Sequence, residues 1–134
     1  MAKITSLDHA EHNEKACKYL NRKPDFLDWV ITTAFYSALH FINHKIFPYK
    51  VKVNGKMIII KDFATYCNNY KKDTTRKHHQ LSALVEEKCP EIADDYNQLK
   101  DISWTARYSR YQYDRDISDL AVKRLGAVKK YCVG

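Results

Sequence analysis

Proton transfer calls for an imidazole and phosphate binding for a guanidinium, and this sequence sets one of each at helical spacing among aromatic and hydroxyl side chains. Trp29, Thr33, Tyr36, His40, Asn43 and Phe47 recur at alternating steps of four and three, along one side of a helix. Tyr96, Ser103 and Arg107 form a second line, because eleven residues are almost three complete turns. If these two helices pack together, His40 and Arg107 reach one ligand, and an arginine among tyrosine rings makes a nucleotide site. The competing reading is a buried network of Tyr36, His40, Ser103 and Arg107 that only holds the helices together, since buried polar groups must be paired. The peptide ARYSRYQYDR adds Arg110 and Tyr111 at the edge of such a cleft. Its alternating basic and aromatic side chains suit stacking and phosphate contact, and also suit a polar corner between helices. No residue is assigned a catalytic role.

Metal and disulfide chemistry are not expected. His40 and His44, at i and i+4, share a helix face but have no evident third ligand. His78 and His79 are adjacent, so on a helix they point about 100° apart and cannot easily clamp one ion. Cys17, Cys67, Cys89 and Cys132 are widely separated, with no C-x-x-C pair, and read as reduced, packed thiols. No cofactor motif is found.

These residues must be positioned by helices. At 134 residues with 45% hydrophobic and 29% charged side chains, the chain is sized for one domain, residues 1–134. Only 3 Gly and 3 Pro argue against a many-stranded or loop-rich fold. Thr5 or Ser6 caps a helix to about Arg22. Asp25 caps a second, from about Phe26 to Ile46, which Pro48 ends. Its Leu27, Ile31, Ala34, Ala38, Ile42 and Ile46 form a core stripe opposite the Tyr36–His40 line. A helix with two such faces belongs mid-bundle or at a dimer seam. Asn54-Gly55 between β-branched residues marks a hairpin at about 50–60. A short helix follows Asp62 to about Asn69, and another runs from Thr74 or Thr75 to Cys89. A long one runs from Pro90 to about Tyr108, with Ile92, Leu99, Ile102 and Ala106 facing a core. The last, capped by Asp116, reaches about Tyr131. The expected class is all-α, with a small hairpin insertion.

The net charge of +7 is uneven. Residues 45–77 carry nine basic and two acidic side chains, and residues 107–134 seven against three; residues 78–106 carry two against six. The basic stretches would attract a polyanion such as RNA, although solvated lysines account for the same counts. With no signal-like leader and no apolar run near the ~20 residues of a membrane span, the expectation is a cytoplasmic protein with no membrane partner.

Two peptides carry a resemblance. WVITTAFYSALHFINHKI is similar to the aromatic-Tyr-x-Ala-x-His helix of bacterial HEPN-domain proteins, through Phe35, Tyr36, Ala38 and His40. YNQLKDISWTARYSRY is similar to that family's Tyr-x-x-Leu…Ser…Ala-Arg-Tyr helix, through Tyr96, Leu99, Ser103, Ala106, Arg107 and Tyr108. With the helix order, the resemblance covers most of residues 20–130 outside the hairpin. It implies a bundle of four or five helices that forms a homodimer, with a nucleotide- or RNA-facing cleft near the seam. It also implies roles in toxin–antitoxin systems, phage defence or RNA processing, and partners such as an antitoxin, a nucleotidyltransferase or a defence ATPase. The chain departs from the family's ribonucleases in one respect. They carry an Arg, four to six residues, then a His; here the close spacing is Arg76-Lys77-His78-His79, and no histidine follows His79. A nucleotide- or RNA-binding module is therefore expected ahead of a metal-independent endoribonuclease with a nonstandard site, the third reading being a structural partner of a nucleotidyltransferase or defence ATPase.

Overall fold

The computed structural model describes residues 3–23, 25–70, 77–108 and 115–134, the side chains of 69, 70, 77–79, 107 and 108 excepted. Helix α1 (Ser6–Leu20) starts at a capping box: Thr5 Oγ1 accepts from the Asp8 N–H at 3.1 Å, and the Asp8 carboxylate accepts from the Thr5 N–H at 2.9 Å. Helix α2 spans Leu27–Ile46. Its N-cap is Phe26, not the expected Asp25, and no side chain caps it. Asp25 lies one position too early to reach the first-turn amides, and the Trp29 and Val30 N–H groups bond the Phe26 carbonyl instead.

Strands β1 (Tyr49–Val53) and β2 (Lys56–Ile60) pair antiparallel, from Tyr49 opposite Ile60 to Val53 opposite Lys56. The turn needs positive φ at both positions, and Asn54 (φ 50°) and Gly55 (φ 80°) supply it at low steric cost. Helix α3 (Phe63–Tyr70) is capped by Asp62, whose Oδ1 accepts from the Thr65 N–H and Oγ1 at 2.8 and 2.7 Å. Helix α4 covers Lys77–Lys88, so its expected caps Thr74 and Thr75 lie outside the described residues. The long helix read from Pro90 is instead a 3₁₀ turn (Pro90–Ile92) followed by α5 (Ala93–Tyr108). Helix α6 spans Arg115–Val133; Asp116 thus falls in its first turn, favourable to the helix dipole, rather than at the cap.

The result is an all-α bundle bearing one β-hairpin, with α2 at its centre, packed by α1, α5 and α6. Val30, Ile31, Ala34, Phe35, Ala38, Phe41 and Ile42 of α2 are wholly buried, which is more of the circumference than one stripe covers. Hydrogen bonds fix the helix directions. Ser37 Oγ donates to the Ala10 carbonyl at 2.7 Å and the Cys17 thiol to the Val30 carbonyl at 3.5 Å, so α1 and α2 are antiparallel. Arg115 binds Asn21 and Lys129 binds Glu14, so α6 runs with α2. Arg124 pairs with Asp95, and Glu91 is near enough to Tyr131 to push its phenol up, so α5 runs against both. Among the described residues, no helix is long and apolar enough to cross a membrane.

Candidate functional site

The helix directions separate the residues that sequence spacing suggested as one site. Phe35 meets Tyr96 across the α2–α5 contact, ring centroids 5.8 Å apart. His40 is five residues from Phe35 toward one end of the bundle, and Ser103 seven residues from Tyr96 toward the other. At 1.5 Å per residue they stand roughly 18 Å apart along the axis. Ser103 is fully buried and donates to the Lys100 carbonyl at 3.0 Å. The supposed second line on α5 is part of its core face, since Tyr96, Leu99, Ser103 and Ala106 are buried together and Ile102 only partly. Tyr36 is half-buried, edge-on to Phe35 at 5.2 Å and 64°. Arg107 lies in the last turn of α5, beyond Ser103 and so further from the His40 level; its side chain, and all of Arg110 and Tyr111, lie outside the described residues.

His40 instead turns to α1, stacking on His9 with centroids 5.0 Å apart and planes 28° from parallel. Around this pair opens a cleft of about 540 Å³. Three stretches of chain build it. The start of α1 brings Lys3, Thr5, Ser6 and His9. The last turns of α2 bring His40, Asn43, His44 and Phe47, one turn apart in pairs. The link from β2 to α3 brings Lys61, Asp62 and Phe63. Because residues 47–48 and 61–64 both line the cleft, the hairpin between them is rooted on its rim.

Burial, and then the neighbouring His9, holds His40 below the ordinary histidine value of 6.5, favouring its neutral form. Thr65 hydrogen bonds, side chain first and backbone second, hold Asp62 below the ordinary carboxylate value despite slight burial; Lys61 and Lys3 add to this. Asn43 Oδ1 is buried with no hydrogen-bond partner among the described residues. Such an acceptor costs about 1–3 kcal/mol unless a donor reaches it.

No group of three His, Cys, Asp or Glu side chains among the described residues is placed to hold a metal ion. What the cleft offers is two ammonium groups, three imidazoles, hydroxyls and an amide, beside the apolar surface of Phe47 and Phe63. Convergent polar groups on an apolar wall, at this volume, are the usual makings of a small-ligand site. Of its residues, helical spacing in the sequence singles out His40, Asn43 and Phe47, with His44 weighed only as a metal ligand. His9, Lys3 and Lys61 carry no local signal; Lys3 and His9 join the site through the α1–α2 packing, and Lys61 through the return of the hairpin toward α3. No family model, curated protein or solved structure matches this chain.

Proposed function

We propose that this protein is a nucleotide- or RNA-binding module, with the histidine-lined cleft as its binding site. The observation that carries the reading is the convergence of Lys3, Lys61, His9, His40 and His44 on one concave site with Asp62 as the single carboxylate among its described residues. Such a site favours an anion, and Phe47 and Phe63 give a base or sugar an apolar surface to lie on. Lys50, Lys52 and Lys56 on the hairpin, all exposed, extend the positive surface beyond the rim. The resemblance of the two signature helices to HEPN-domain proteins supports the same class of ligand.

The test is fluorescence anisotropy with a labelled single-stranded oligoribonucleotide over a range of salt. Binding should weaken with salt, and Lys3→Gln and Lys61→Gln should each flatten the logarithmic slope by about 0.7, the loss of one single-strand phosphate contact. No binding at low salt, or binding indifferent to both substitutions, defeats the reading. Metal-free cleavage of the same RNA, lost in His40→Ala, would instead favour the endoribonuclease reading.

The proposal includes a homodimer. Phe26, Trp29 and Trp104 support it: they are 49%, 54% and 60% exposed, and lie at one end of the bundle, where α5 finishes beside the start of α2. Exposed aromatic groups of this kind mark contact surfaces. Light scattering at micromolar concentration should give twice the 15.8 kDa chain mass; a lone monomer removes the dimer from the proposal.

A further inference from the structure

The charge of the cleft is set by its imidazoles. With His9, His40 and His44 neutral, the two lysines Lys3 and Lys61 against the one carboxylate Asp62 leave +1; protonating all three makes +4. Among the described residues, these are the titratable and charged groups that line the cleft. They come from α1 and the residue stretch before it (Lys3, His9), from α2 (His40, His44) and from the approach to α3 (Lys61, Asp62). Asp8, the nearest other carboxylate on α1, is occupied by the Thr5 capping box. The stacked His9 and His40 rings repel one another when both are charged, so an anion beside them and their protons favour each other.

We propose that this cleft is a proton-coupled site for the terminal phosphate monoester of a nucleotide, on a free mononucleotide or at the end of an RNA strand. This deepens the nucleotide- or RNA-binding reading and rests on it. Three features favour a monoester over an internal diester. A monoester carries close to two negative charges at neutral pH, its second ionisation falling near pH 6, and so gains more than a singly charged diester from a site that is already positive and becomes more so with each imidazole protonated. The cleft is concave, with a volume of about 540 Å³, which suits one nucleotide better than a run of them. Finally, Asn43 lines the same wall, and its amide, whose buried oxygen has no partner among the described residues, gains a hydrogen bond if it turns toward a base edge. Binding forms and breaks no covalent bond. Protons move from solvent to the imidazoles as the dianion enters.

The test is isothermal titration calorimetry on the full chain, using adenosine 5′-monophosphate, adenosine, and one hexaribonucleotide as 5′-hydroxyl, 5′-phosphate and 3′-phosphate forms. Adenosine 5′-monophosphate should bind at least about tenfold more tightly than adenosine, the least that charge-assisted hydrogen bonds to a phosphate contribute. Its affinity should rise from about pH 8 to about pH 6.5, levelling once the phosphate itself protonates. The measured heat should vary with the ionisation enthalpy of the buffer, as proton uptake requires. Lys61→Gln and His44→Gln, both at exposed positions, should weaken the monophosphate and leave thermal unfolding unchanged. A further gain from a terminal phosphate on the hexamer points to strand ends as the source; binding of the mononucleotide with no such gain points to free nucleotides. Equal affinity for adenosine and its monophosphate, or affinity flat or falling toward pH 6.5, overturns the inference. If the hexamers bind equally well with and without terminal phosphate, and the mononucleotide does not bind, RNA binding survives and this inference does not. If nothing binds, both are wrong.

Discussion

Removing one hydroxyl at the α1–α2 contact tests the placement of the whole bundle. Ser37 is fully buried, and its Oγ donates to the Ala10 carbonyl at 2.7 Å; Ala10 is itself fully buried against α2. In Ser37→Ala the donor disappears, but the Ala10 carbonyl keeps the helical N–H four residues on, so no buried acceptor is orphaned. The cost should be that of one net hydrogen bond, about 1 kcal/mol. For a chain of this size that is a fall in Tm of roughly 3–5 °C. Ser37→Val deletes the same bond and also forces branched methyl groups into a tight helix–helix contact. It should therefore cost more, by about 1–3 kcal/mol of overpacking. The assay is urea unfolding followed by helical circular dichroism, reading midpoint and slope so that a changed denatured state is not mistaken for lost stability. A neutral Ser37→Ala, or a valine better tolerated than alanine, would refute the close antiparallel contact and with it the position of His9 over His40.

Three further outcomes follow from the structure. His40 is held below 6.5, so the fold prefers its neutral form; stability is full above that pH and is lost as pH falls through the depressed folded value, and His40→Gln should flatten this acid loss in ligand-free protein when urea midpoints are compared. All four cysteines are buried, with burial pushing the Cys17 and Cys132 thiols up to about 11 and about 12, so a thiol reagent at about pH 8 should react slowly with native protein and fast in denaturant; rapid native labelling of Cys17 would contradict that packing. The two internal glycines should respond oppositely to alanine: Gly55 at φ 80° should lose about 1 kcal/mol, whereas Gly126, inside α6 with open space where a Cβ would go, should gain about 0.5–1 kcal/mol, both read from Tm.

The parts of this fold legible in the sequence are those written in local chemistry. The stripe of Leu27, Ile31, Ala34, Ala38, Ile42 and Ile46 is buried as its spacing demands, and Asn54-Gly55 turns the hairpin. Caps were legible only to within a residue, because an aspartate reads alike at the cap and at its neighbours. Asp62 caps α3, while Asp25 precedes the cap of α2 and Asp116 follows the start of α6. On α5 the buried arc was read too narrowly. Besides α2 and α6, the helix is flanked by α4, where Lys100 reaches Ser82 at 2.9 Å and Asn97 reaches Glu86 at 3.3 Å; Tyr96 and Ser103 therefore share the core face. The site was harder still. His40 stood out for its type, but its partner came from α1, and no periodicity within either helix reports which residues two helices bring together.

That register ties the core to the cleft. His9 is the neighbour of Ala10, and His40 lies three residues, less than one turn, beyond Ser37, so the Ser37–Ala10 hydrogen bond and the His9–His40 stack are adjacent steps of one helix–helix contact. Phe41 and Ile42, fully buried, sit between His40 and the cleft residues Asn43 and His44, so the imidazoles take their positions from side chains locked in the core. A change at Ser37 or Phe41 should therefore alter ligand binding without touching a cleft residue. A change at exposed Lys61 or His44 should alter binding alone. These two patterns separate a site built by the fold from charged side chains that merely happen to lie near one another. In the second case, loosening α1 would leave anion affinity where it was.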